Sequence, residues 1–169
     1  MSDDLRVSVT LGSLPAELAD SPRTLTRAVQ YAAVLAGTNY LWRKLASNTP
    51  KGATGKARQS VHGDVSKGLT IEGFVGYAEP ASGYIIFPQE GTRPHWPPIA
   101  PLAYWAQRKF GLSADNARRV GYLIARKISR AGVKRQDFVG KTAREERERT
   151  QRIMAAAAGR AARDYRAGR

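Results

Sequence analysis

Residues 84–98 read Y-I-I-F-P-Q-E-G-T-R-P-H-W-P-P, a predicted strand that closes in a rigid turn. Tyr84, Ile85, Ile86 and Phe87 are aromatic or β-branched and suit a pleated, half-buried surface, while Pro88 limits how far pairing continues. Gly91 accepts a positive φ, and Pro94, Pro97 and Pro98 fix their own φ and hold the residues before them extended. The expected product is a stiff corner, Glu90, Gly91, Thr92, Arg93, Pro94, His95 and Trp96. Glu90, Arg93, His95 and Trp96 stand in a preset arrangement there, which is one way to build a contact surface.

Upstream of the corner, Val61 and Val65, then Leu69, Ile71, Gly73 and Val75, alternate through strands expected at 58–66 and 69–77, with Gly68 at the turn. A further alternation, Leu5, Val7, Val9 and Leu11, predicts a strand at 5–11. Between them, Asp20 and Ser21 offer capping oxygens and Pro22 suits a first helical position. Val29, Ala32, Ala33 and Ala36 then continue an apolar stripe into a helix over about 22–47. Downstream, Leu102, Trp105 and Ala106 predict a helix stopped at Gly111. Ser113 starts another that runs to Gly132, with Ala117, Val120, Ile124 and Ile128 on one face and Arg119, Arg126 and Arg130 on the other. A last helix is expected from about 136 to 166, with Glu145–Arg149 and Glu148–Arg152 as pairs four apart. The fold class expected is α+β: a small antiparallel sheet, including 84–88, packed against the long first helix and followed by C-terminal helices.

The 169 residues are 42% hydrophobic, enough for a core, and carry a formal charge of +14. Residues 1–100 hold 10 Lys and Arg against 8 Asp and Glu, whereas residues 101–169 hold 18 against 6. The basic character therefore belongs to the C-terminal helices and favours an anionic partner, nucleic acid or an acidic protein surface; a solvated helical face is the plainer alternative. Arg118, Arg119, Arg126, Lys127 and Arg130 are the candidates for a DNA-facing or acidic-partner-facing surface. Past Met154 the sequence is alanine and arginine, and alanine buries little area, so this stretch is expected to lean on neighbouring subunits. The expected division is an α+β domain over 1–135 and a basic helical extension over 136–169. The acidic N-terminus lacks a signal-peptide pattern, and the expectation is a cytosolic protein.

Chemistry finds little support. The absence of cysteine excludes disulfides, thiol nucleophiles and cysteine zinc sites. Gly52-Ala-Thr-Gly55-Lys56 fails as a phosphate-binding loop because Pro50 stands where glycine is needed, Ala57 where Ser or Thr is needed, and a helix precedes it. His62 and His95 lack zinc-ligand spacing, and Glu90 with His95 has neither a positioned nucleophile nor a second carboxylate. No catalytic, metal-binding or cofactor-binding residue is assigned. Trp42, Trp96 and Trp105 read as core or interface anchors.

Several pieces in this order carry a resemblance. They are the long first helix, the loop with Pro50 and Thr54-Gly55, the run ending in E-G-T followed by R-P-H and P-P, V-G-Y-L-I-A-R-K-I at 120–128, and A-G-V-K-R-Q-D-F at 131–138. Over about residues 22–145 the chain resembles the tail-completion or neck proteins of long-tailed bacteriophages, the minor tail protein Z type of joining protein. The resemblance implies a structural virion protein, assembled in the host bacterial cytoplasm, that forms a symmetric ring, sixfold favoured. It also implies contacts with head-connector, stopper and tail terminator or tube proteins, DNA passing through the lumen, no cofactor and no turnover. A tail-terminator or head-closure ring, a stand-alone nucleic-acid-binding protein and a nuclease remain the alternatives, the last opposed by the lack of a clustered acidic metal site.

Overall fold

The computed structural model describes residues 23–52, 54–67, 70–79 and 81–168; the expected strand at 5–11, the capping residues before α1 and the Gly68 turn lie outside them. The protein is α+β and mostly helical: α1 (Arg23–Asn48), α2 (Lys56–Gln59), β1 (Val61–Lys67), β2 (Ile71–Tyr77), α3 (Ala81–Glu90), α4 (Ile99–Phe110), α5 (Ala114–Ala131), α6 (Phe138–Glu145) and α7 (Arg147–Arg166). No helix among the described residues is long and apolar enough to cross a membrane. The chain divides into two compact units, Met1–Ser47 with Val61–Gly76 and Gly140–Arg169, and Asn48–Ser60 with Tyr77–Val139.

In the first unit β1 and β2 form a two-stranded antiparallel sheet. Two strands need a cover to be stable, and α1 supplies it. Val34 of α1 is buried against Val65 and Ile71, and the Trp42 indole N–H donates to the Val61 carbonyl at 2.7 Å. The hairpin begins later than the predicted 58–66. Gly55 is left-handed (φ 70), and its carbonyl accepts from the N–H groups of Arg58 and Gln59, so residues 56–59 coil into a helical turn before pairing starts.

The alanine-rich tail, expected to depend on neighbouring subunits, is seated on α1 of its own chain. Met154 is buried with Ala33 and Val34, and Ala158, Ala161 and Ala162 pack around Val29. Small side chains let two helices approach closely, so contact density replaces side-chain bulk. The single helix predicted over 136–166 is divided at Glu146, and the predicted Glu145–Arg149 and Glu148–Arg152 pairs do not form. Glu145 pairs instead with Lys141 at 3.8 Å.

The Glu146 carboxylate, at the junction of α6 and α7, serves α1. It accepts a hydrogen bond from the Tyr40 hydroxyl and pairs with Lys44 at 3.1 Å, while Arg149 lies over the Tyr40 ring. The Tyr40 and Lys44 hydrogen bonds hold the Glu146 carboxyl below the ordinary carboxylate range. A depressed folded-state pKa contributes stability above the unfolded value of about 4.3, and that contribution is lost as pH falls through the folded value. Glu146→Gln is therefore expected to lower the melting temperature by roughly 2–5 °C at pH 7. In melts recorded across pH, the gap between wild type and variant should begin to close as pH falls below the unfolded carboxyl value of about 4.3 and vanish only below the depressed folded value; a gap independent of pH would show that the charge is not the cause.

The second unit corrects the reading of 84–88. This stretch is not a strand of the sheet but the body of α3, and the buried residues Ala81, Ile85 and Gln89 recur every fourth position while Tyr84, Ile86 and Phe87 stand exposed. β-Propensity describes fit to a pleated surface, and among the described residues no strand pairs with this stretch to supply one. Pro88 lies in the last turn of α3, where it has no N–H to return to the Tyr84 carbonyl and where the final carbonyls need partners from outside the helix. Those partners come from the segment before α6: Gln136 N–H donates to the Pro88 carbonyl at 3.1 Å and Asp137 N–H to that of Gln89 at 3.2 Å. The Gln89 side chain adds bonds to Asp137 and to the Val139 N–H. Beyond it, α4 and α5 pack through small residues, with Ala106, Ala117 and Ala125 buried. Ser113 occupies the N-cap position of α5 through its backbone, and its hydroxyl makes no capping bond.

Candidate assembly site

The corner at 90–96 is built from two strands of chain, of which the sequence reading named one. Gly91 turns the chain at φ 76 as α3 ends. Thr92 then pairs antiparallel with Val133, each N–H donating to the other's carbonyl, at 3.0 and 3.1 Å. The Thr92 hydroxyl accepts a further bond from Val133 N–H at 3.2 Å. Gly132, Val133 and Arg135 are thus as much part of the corner as Gly91 and Thr92. Their signal in the sequence is the short A-G-V-K-R interruption between two helical patterns, which the resemblance includes but which no local pattern ties to the corner.

The projecting side chains are held locally. His95 Nδ1 donates to the Arg93 carbonyl at 2.9 Å, which fixes the tautomer with its proton on Nδ1 when the ring is neutral. No hydrogen bond joins Glu90 to His95 among the described residues. Glu90 lies 3.9 Å from Arg135 instead, an exposed pair that contributes little. Trp96 is 53% exposed and meets the Tyr122 ring edge-on at 5.8 Å. Sequence reading had not connected Tyr122 with the corner.

Thr54 and Gly55 belong to the same unit but to a different piece of it. Thr54 Oγ1 accepts from Lys56 N–H at 3.4 Å, and Gly55 starts the turn of α2 that buries Ala57. The Arg58 guanidinium donates to the Thr49 carbonyl at 2.9 Å, and the Thr49 hydroxyl bonds the Tyr77 hydroxyl at 2.7 Å. Burial pushes that tyrosine up to about 12. These contacts make the loop a structural tie.

Arg118, Arg119, Arg126, Lys127 and Arg130 are all exposed on α5. None makes an ion pair with a carboxylate among the described residues. Among the described residues no group of His, Asp and Glu side chains is placed to hold a metal ion. Comparison of the chain with protein-family models, with curated proteins and with solved structures gave no match.

Proposed function

We propose that this chain is a structural subunit of the head-to-tail junction of a long-tailed bacteriophage, a neck or tail-completion protein. It forms a ring, sixfold favoured, between the head connector and the tail, and DNA passes through the ring.

One observation supports an assembly role above all. The unit formed by residues 48–60 and 77–139 buries Ile85, Phe138 and Val139 but leaves many of its large apolar residues in solvent. Ala57, Ala81, Ala106, Ala117 and Ala125 are buried, while Tyr84, Ile86, Phe87, Trp96, Tyr104, Phe110, Tyr122 and Leu123 are exposed. Single exposed apolar residues are ordinary, but so many on one small unit mark protein contacts. A closed ring needs two different complementary surfaces on each subunit, and this unit has apolar surface to supply them. The corner, pinned on both sides, gives one of these surfaces a fixed shape. A stand-alone nucleic-acid-binding protein has no use for exposed leucine and phenylalanine, although the exposed Arg152, Arg160, Arg163 and Arg166 of α7 suit phosphate contact within a ring lumen.

Trp96→Ala tests the reading. The isolated variant is expected to fold with a stability loss near 1 kcal/mol, the scale of an edge-on aromatic pair at a half-exposed site. Virions assembled with it are expected to show free heads and free tails in electron micrographs. Normal joining by a correctly folded variant would remove the corner from the interface.

A further inference from the structure

The exposed face of α5 carries two kinds of chemistry side by side. Arg119, Arg126 and Arg130 fall on one stripe of the helix, because residues seven and four apart return to nearly the same side. Tyr122 lies along one edge of this stripe and Leu123 along the other, 46% and 59% exposed. Trp96 extends the apolar edge through its contact with Tyr122. Tyr122 and Leu123 also line an open depression of about 530 Å³ with Asp115, Arg118 and Arg119.

We infer that this face docks an acidic, leucine-bearing segment of another protein. The inference deepens the proposed function and rests on it only in taking the Trp96 surface as a protein contact. Charge selects the sign of the partner: Arg119, Arg126 and Arg130 of the stripe are exposed and, among the described residues, none pairs with a carboxylate, so the complement is a run of carboxylates or phosphates. The apolar edges select between the two. A DNA duplex offers phosphates along its backbone and leaves Leu123, Tyr122 and Trp96 in water, whereas an amphipathic acidic helix places apolar anchors against them and carboxylates on the arginines. Pairing of this face with the same face of a second copy would set arginine against arginine, whereas the ring contacts join two different surfaces of the subunit. From Arg118 to Arg130 the face is roughly 18 Å long at 1.5 Å per residue, which matches about three turns of a partner helix.

The test uses the full chain and three labelled probes at near-physiological salt, with binding read by fluorescence anisotropy. The first probe is a peptide of roughly fifteen residues with glutamate and leucine at helical spacing. The second is the same peptide with serine for leucine, and the third is a short DNA duplex. The first is expected to bind about 10-fold or more tighter than either of the others. Leu123→Ser alone, at an exposed position that does not hold the fold, is expected to remove most of that advantage with an unchanged melting curve. Equal binding of the two peptides, no saturable peptide binding, or a duplex bound more tightly and indifferent to Leu123→Ser would each overturn the inference. Ring formation and head-to-tail joining are scored separately, in the Trp96→Ala particles, so failure here and failure of the neck reading are distinguishable.

Discussion

Gly132→Ala is expected to cost about 3–5 kcal/mol and to dismantle the corner at 90–96. Two effects add at this residue. Its backbone, at φ 68 and ψ −164, lies in a region open essentially to glycine alone. A Cβ placed there would lie 2.0 Å from the Thr92 carbonyl oxygen and 2.9 Å from the Arg93 carbonyl carbon. These are main-chain atoms, and the Thr92 carbonyl is the one that accepts the Val133 N–H at 3.1 Å. Relief of the clash therefore requires breaking the bridge that ties the two halves of the corner together. Gly111→Ala separates the two effects, since Gly111 is also left-handed, at φ 65, but a Cβ there meets nothing. It is expected to lose only the conformational part, about 1 kcal/mol. Chemical denaturation gives both values. If Gly132→Ala and Gly111→Ala had equal effects, the close approach to Thr92 would be of no importance.

This pairing also marks where sequence reading stops. A glycine after a helical stripe reveals a helix end, and the ends at Gly111 and Gly132 fall where the pattern predicts. α1, the hairpin and α4 were legible for the same reason, since their periodicity is written in consecutive residues. The contact between Gly132 and Thr92 joins positions forty apart, and no local pattern encodes it. Tyr84–Phe87 misled for a related cause. Its aromatic and β-branched residues were weighed by propensity, whereas the helix is set by buried Ala81, Ile85 and Gln89, the last a polar residue whose partners Asp137 and Val139 lie far along the chain. For the candidate site, the run from Glu90 to Trp96 is legible as one turn because it is contiguous, and Glu90, Arg93, His95 and Trp96 are exposed on it. The clamp that shapes them, Gly132 to Arg135, and the Tyr122 ring beside Trp96 were visible only in three dimensions.

The alanine tail gives the second large effect, through Met154. Its side chain is 1% exposed, the largest fully buried side chain among the described residues, and it packs with Ala33 and Val34. Met154→Ala is expected to cost about 2–5 kcal/mol, because the alanines around it cannot extend to fill the space. The position opposite sharpens the test. A Cβ on Gly37 would lie 2.7 Å from Met154 Cγ and 2.8 Å from its Sδ, so glycine in the middle of α1 makes room for the methionine. In the wild type, Gly37→Ala gains the helix propensity of alanine, about 1 kcal/mol, but displaces Met154 and loses roughly 1–3 kcal/mol to overpacking. Once Met154 is alanine the displaced atoms are gone and only the propensity gain remains. Gly37→Ala is therefore expected to destabilise the wild type or leave it unchanged, and to stabilise Met154→Ala by about 1 kcal/mol. A double-mutant cycle read by urea denaturation measures that coupling, and additive effects would mean that α7 is not seated on Gly37 in solution. With positive coupling, α7 is anchored to α1 through its small-residue face, and Arg152, Arg160, Arg163 and Arg166 remain exposed on its other side.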